Sequence, residues 1–229
     1  NWRCNTLSSN NLTSSFRDPS GHLFMREGKV VRQVNASYQD HYQTLMQSGL
    51  YDELVKKGWL VAHRELEETA ESPGFLIIEP EQIPYISYPY EWCFSQLKDA
   101  ATLTLNIQLE ALKYGMFLKD ASAYNVQFLR GRPVFIDTLS FETYQEGTPW
   151  VAYRQFCQHF LAPLALMSRT DIRLGQLLLP NLDGVPLDLA VRLLPVRSRL
   201  NPGLFMHLHL HARGQRRHLH HGTDRESLR

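Results

Sequence analysis

The chain has 229 residues, 43% of them hydrophobic and 21% charged, ordinary for a soluble globular protein and enough for one large domain or two small lobes. A formal net charge of +1 gives no electrostatic ground for a nucleic-acid or anionic-membrane partner. Cys4, Cys93 and Cys157 are widely spaced and form no CxxC, which argues against a disulfide framework and for a reducing, cytoplasmic compartment.

Residues 1–19, rich in Asn, Ser and Thr, read as a leader with little structure. The stretch 21–34 reads as a hairpin turning at Arg26-Glu27-Gly28-Lys29. From 37 to 57 the apolar positions Tyr38, Tyr42, Leu45, Met46, Leu50, Leu54 and Val55 recur at helical spacing, with Gly49 as a break and Gly58 as a stop. Phe75 to Ile78 is strand-like. The next segment, 83–90, is extended because Pro84 and Pro89 disfavour helix before them. Residues 91–114 predict a long helix with an apolar stripe of Leu97, Ala101, Leu105, Leu109 and Leu112, stopped by Gly115. Helices follow at 153–167, with Pro163 as a boundary or kink, at 172–179, and at 187–194 before Pro195. The tail 213–229 is polar and without an apolar face. The apolar runs are interrupted by charge or Pro short of a bilayer-spanning length.

Between the long helix and the later helices lies the richest stretch. Asp120 and Asn125 sit on a short loop, and the runs 126–129 and 133–136 flank Arg130-Gly131-Arg132 as a tight hairpin. A three-residue loop centred on Gly131 pairs 129 with 133 and sets Asn125 opposite Asp137. Two oxygen ligands beside a free carboxylate can hold Mg²⁺ on a nucleotide and orient a hydroxyl for attack. Asp and Asn also open turns and cap helices without any ligand. His207, His209 and His211, with His218, His220 and His221, lack the further ligands of a closed zinc site and read as a polar helix face and tail.

The pattern Asp120-x-x-x-x-Asn125, followed by a hairpin ending in Ile136-Asp137, resembles the catalytic loop and metal-binding acid of the protein-kinase-like superfamily, closest to small-molecule phosphotransferases. A wider resemblance covers about 16 to 213. Three blocks of sequence, around Ile86-Ser87-Tyr88-Pro89-Tyr90-Glu91-Trp92, Lys119-Asp120-Ala121-Ser122 and Phe135-Ile136-Asp137-Thr138, are similar to the N-terminal region of bacterial class I SAM-dependent methyltransferase proteins, some called nodulation-protein-like. The kinase resemblance implies Asp120 as the group that orients or deprotonates the attacking hydroxyl, with Asn125 and Asp137 as Mg²⁺ ligands. Lys119 would counter phosphate charge. Arg32 or Lys29 would replace the phosphate-gripping lysine, with Glu53 as a helix partner, and Glu91 and Trp92 would wall the pocket. The departures are a missing G-x-G-x-x-G loop, no Val-Ala-x-Lys strand, Leu118 where His is usual, and Thr138-Leu139 after the metal acid.

These readings together predict an α+β, protein-kinase-like bilobal fold with a reduced N-lobe over 20–90 and a mainly helical C-lobe over 91–212 that carries the catalytic-loop hairpin. The implied cofactors are ATP and Mg²⁺, with S-adenosylmethionine only through a domain absent from this chain. The implied partners are a small-molecule or sugar substrate and a downstream methyltransferase domain. The competing expectation is a non-catalytic scaffold that presents substrate to, or regulates, that domain.

Overall fold

The computed structural model describes residues 10–11, 18–67, 70 and 73–214. Most of the expected leader, nearly all of the polar tail, and His218, His220 and His221 lie outside them. Strand β1 (Asn10–Asn11) pairs with β2 (Gly21–Arg26), which forms a hairpin with β3 (Lys29–Asn35). The turn is two residues long, with Glu27 at φ 48° and Gly28 at φ 77°. Two positive φ values give the turn geometry that follows the natural twist of a hairpin. Helices α1 (Gln39–Gln47) and α2 (Leu50–Lys56) come next, interrupted at Gly49 and ended at Gly58 as their spacing predicts.

Strand β4 (His63–Leu66), which has no alternating pattern to mark it, and β5 (Gly74–Pro80) complete a sheet of order β1-β2-β3-β5-β4, antiparallel throughout. Tyr38 and Tyr42 pack with Val34 and Ile78 of the sheet and with Leu139 from the second half of the chain. Burial of these side chains is what joins the two parts. A backbone link reinforces it: the Val61 amide donates to the Phe135 carbonyl (2.9 Å), and the Phe135 amide to the Trp59 carbonyl (2.8 Å).

The long helix is α3 (Phe94–Lys113), but its buried face differs from the expected stripe. Leu97 and Ala101 are buried, whereas Leu105, Leu109 and Leu112 are exposed, Leu109 by 61%. The core side carries Ala100, Leu103, Thr104, Ile107, Gln108 and Ala111 instead. Its two amide and hydroxyl groups are satisfied: Gln108 Oε1 accepts the Leu118 amide (2.8 Å), and Thr104 donates to the Ala100 carbonyl (2.9 Å). Polar residues bonded in this way can occupy a core face, which shifted the inward side away from the largest leucines.

After Gly115 the chain forms β6 (Met116–Leu118), then the hairpin β7 (Val126–Leu129) and β8 (Arg132–Phe135), then β9 (Phe141–Thr143), which pairs back to β6. Helix α4 (Tyr153–Phe156) runs through a π turn at Cys157–Leu161 into α5 (Ala162–Arg169). Pro163 lies just past this turn and has no amide proton for the carbonyl four residues back. In the π turn the Ala162 amide reaches the Cys157 carbonyl. The Gln158 carbonyl is thereby released to accept the Val185 amide (2.9 Å). A 3₁₀ segment (Ile172–Leu178), α6 (Leu187–Leu193), a 3₁₀ turn (Val196–Leu200) and α7 (Pro202–Leu204), which continues through a second π turn (Phe205–Leu210) into helical residues 211–214, complete the described chain. The architecture is α+β. No helix among the described residues is long and apolar enough to cross a membrane.

Candidate functional site

The β7–β8 hairpin closes with one residue fewer than the sequence suggested. Its loop is Arg130-Gly131 alone, at φ 52° and 77°, and the register pairs Leu129 with Arg132 and Val126 with Phe135. Centring on Gly131 assumed a three-residue loop. Arg130 in the left-handed region, uncommon for a residue with Cβ, makes the two-residue turn instead. Asn125 is consequently opposite Ile136, whose amide donates to the Asn125 carbonyl (2.8 Å). Asp137 falls one position beyond the ladder.

Ser140 restores the connection between the two. Asn125 Nδ2 donates to Ser140 Oγ (3.2 Å), and Ser140 Oγ donates to Asp137 Oδ2 (2.7 Å). The Leu139 amide donates to Asp137 Oδ1 (2.9 Å), capping the short 3₁₀ segment Thr138–Ser140. Asp120 is held by the Ser122 amide (2.8 Å), and the neighbouring Ala121 amide donates to Gln155 Oε1 (2.7 Å). Burial raises the Asp120 carboxyl above its ordinary pKa; the Ser122 bond opposes this and the nearby Asp137 charge adds to it. A raised carboxylate is a stronger proton acceptor than an exposed one.

Asp120, Asn125 and Asp137 line one cleft of about 490 Å³ between the sheet and the hairpin. Leu23, Val30, Ile78, Ile83 and Ile136 supply apolar walls. Asp18, Arg32, Asp120, Asn125 and Asp137 are among its polar residues, with Glu81 and Gln82 at the rim of the sheet. A pocket with mostly apolar walls and a few convergent polar groups has the usual build of a small-molecule site. Arg32 projects from β3 and is only 9% exposed. It makes ion pairs with Asp137 and, at 3.1 Å, with Asp18. Its Nε–H is buried without a partner, an unused donor for an anion. Asp137 and Asn125 are oxygen donors of the kind Mg²⁺ prefers, but among the described residues no group of three or more His, Cys, Asp or Glu is placed to hold a metal ion. Both Asp137 oxygens are already engaged within the protein.

The remaining expected residues are placed elsewhere. Lys119 donates to Ser20 Oγ (2.6 Å) and lies over the Tyr38 ring (4.7 Å), so its charge serves the join between the two parts of the chain. Glu91 accepts the Tyr88 amide (2.7 Å) and caps the 3₁₀ turn Pro89–Glu91; it is not among the cleft-lining residues. Trp92 is buried against Phe128. Lys29 pairs with Glu79, and Glu53 with Lys57. Asp18 falls in the stretch 1–19 that reads as a leader, yet it lines the cleft. Asp18-Pro19-Ser20-Gly21 is an Asx-turn sequence, and that signal was available. The Ser20 amide donates to Asp18 Oδ1 (2.9 Å), and Asn35 and Ser37 both donate to the Pro19 carbonyl (3.0 and 2.9 Å).

No protein-family model matches the chain. It is similar to the nodulation protein NoeA of Rhizobium meliloti (strain 1021), with 38% identity over 208 residues, a match that covers 89% of this chain and 43% of that protein. The chain therefore spans less than half the length of this curated relative. Among solved structures, a crystal structure of WbdD aligns over 79% of this chain and 45% of its own, at 14% identity and a TM-score of 0.39, a likeness too loose to assign a fold.

Proposed function

We propose that this chain is the kinase-like part of a larger protein and that its cleft binds ATP and Mg²⁺ as a phosphotransferase-type site. The observation that carries the proposal is the convergence of Arg32, Asp120, Asn125 and Asp137 on one cleft with apolar walls. Arg32 stands on the third strand of the sheet, the strand on which protein kinases place their phosphate-binding lysine. In this reading Arg32 grips phosphate, Asn125 and Asp137 hold Mg²⁺, and Asp120 accepts the proton of a small-molecule or sugar hydroxyl. Mg²⁺ would supply charge neutralisation between the phosphates. The apolar walls from Leu23, Val30 and Ile78 suit a nucleobase and exclude water from it. The larger protein would be cytoplasmic and carry an S-adenosylmethionine-dependent methyltransferase domain outside this chain, a reading supported by the motif resemblance around 86–92, 119–125 and 135–142.

One observation favours the competing scaffold reading. Asp137 has Arg32 and the Leu139 amide on one oxygen and Ser140 on the other, so metal binding must displace internal partners. A thermal-shift titration with ATP and Mg²⁺ tests the first reading. The wild type is expected to gain stability and Asp137→Ala is expected to gain none. Absence of a shift in the wild type overturns the nucleotide site. A shift without phosphoryl transfer to any of a panel of hydroxyl acceptors selects the scaffold.

A further inference from the structure

A second cavity, of about 320 Å³, shares no lining residue with the Asp120–Asp137 cleft. It lies between α6, the turn at Val196–Leu200 and the helix that continues from α7. Its apolar lining comes from Val191, Leu194, Val196, Phe205 and Ala212. His209, only 7% exposed, adds a polar group whose Nε2 lies 2.9 Å from Ser198 Oγ. Arg192, Arg199 and Arg213 complete the lining.

The charge around this cavity has one sign. Between positions 189 and 213 the sequence holds four arginines and neither Asp nor Glu. Arg192 is paired with Asp188, which precedes that stretch. Among the described residues Arg199 and Arg213 have no carboxylate partner. Both push the His209 pKa down, behind the larger effect of burial. Planar guanidinium forks match the oxygens of phosphate and carboxylate. The volume is near the small end of ligand pockets, roughly 300–1,000 Å³, which suits a short chain or a single ring.

We propose that this cavity binds an amphiphilic anion, an acyl or aryl group bearing a phosphate or carboxylate, with its head on Arg199 and Arg213 and its apolar part between Leu194, Phe205 and Ala212. Val196 in the lining is itself exposed, so the apolar part of the cavity opens to solvent. That chemistry is shared by a free amphiphile and by the head region of an anionic lipid. The proposal does not depend on the nucleotide site.

Isothermal titration of the whole chain with octyl phosphate tests it. Octyl phosphate is expected to bind at least about tenfold more tightly than inorganic phosphate or 1-octanol, because each of these supplies only one half of the match. The double variant Arg199→Glu/Arg213→Glu is expected to lose about tenfold or more in affinity while keeping its circular dichroism spectrum. If the double variant does not fold, Arg199→Gln alone gives the same comparison. Binding no tighter than inorganic phosphate, or undiminished binding by the folded variant, overturns the proposal. Co-sedimentation with phosphatidylglycerol but not phosphatidylcholine vesicles, lost in the variant, identifies a lipid head as the source. Octyl phosphate binding without vesicle retention identifies a free amphiphile.

Discussion

Arg32 on β3 and Asp137 beyond β8 are 105 positions apart in sequence and form an ion pair at the polar end of the cleft. Asp18 flanks the same guanidinium from the other side. Arg32→Ala would leave two carboxylates facing a cleft with their cation gone. The expected cost is about 3 kcal/mol of unfolding free energy, toward the low end for a broken buried pair since Asp18 is one-third exposed. Urea denaturation measures it, and Arg32→Ala/Asp137→Asn should recover part of the loss. Equal stability of the single and double variants would show that repulsion is not the cause.

Tyr38 is fully buried and donates its hydroxyl to the Phe141 carbonyl. Tyr38→Phe leaves that carbonyl without its partner at almost constant packing volume, so a loss of about 1–2 kcal/mol is expected in the same denaturation experiment.

Gly184 has φ 88°, and a Cβ there would meet Gln158 Cβ at 2.7 Å and its carbonyl carbon at 2.8 Å, beside the π turn. Gly147, at φ 82°, has open space around it. Gly147→Ala is therefore expected to cost about 1 kcal/mol from backbone strain alone. Gly184→Ala should cost about 3 kcal/mol or more, since backbone must also move. Similar melting temperatures for the two variants would contradict this packing.

His159 is 1% exposed, and burial holds its pKa at about 4, against a smaller upward effect of Asp183. His63 is likewise lowered to about 4 by burial. An imidazole near 6.5 in the unfolded chain takes up a proton there before it does so in the folded protein. The stability is thus complete above pH 6.5 and is lost as pH falls toward 4. Between pH 7 and pH 5, His159 alone should account for about 2 kcal/mol. Urea midpoints at the two pH values measure the total, and His159→Gln should remove His159's share of it, leaving that of His63.

The face of α3 gives the simplest mutational contrast. Ile107→Ala should cost about 2–4 kcal/mol and Leu109→Ala less than about 0.5 kcal/mol, because only Ile107 is in the core. The reverse order would restore the stripe that hydrophobicity alone selects.

That contrast also shows what the sequence made legible. Periodicity located α3 and its stop at Gly115, but could not rank Leu105 and Leu109 below Ala100, Ile107 and Gln108, because inward orientation depended on bonds made by distant partners such as Leu118. The β7–β8 hairpin was legible from its apolar runs and Gly131. Its register was not, because an Arg in the left-handed region carries no compositional signal. Asp120, Asn125, Asp137 and Arg32 were named from motif and position and do line one cleft. The Asx turn at Asp18 is legible from Asp18-Pro19-Ser20-Gly21, but its ion pair with Arg32 is a contact that local composition does not reveal.

The stitching of residues 18–21 bears on where a folding unit can be cut. Asp18 is bound to Arg32, the Pro19 carbonyl to Asn35 and Ser37, Ser20 to Lys119, and Gly21 passes so close to the Gln33 carbonyl that a Cβ would lie 2.1 Å from it. The first regular strand of any length starts at Gly21, and a boundary drawn there would look natural on secondary structure alone. Trimming to that boundary would take Asp18 from the cleft lining, leave Arg32 with Asp137 alone, and remove the Ser20 hydroxyl that Lys119 binds. An expression fragment has to begin upstream of Asp18 to keep the pocket it is made to study.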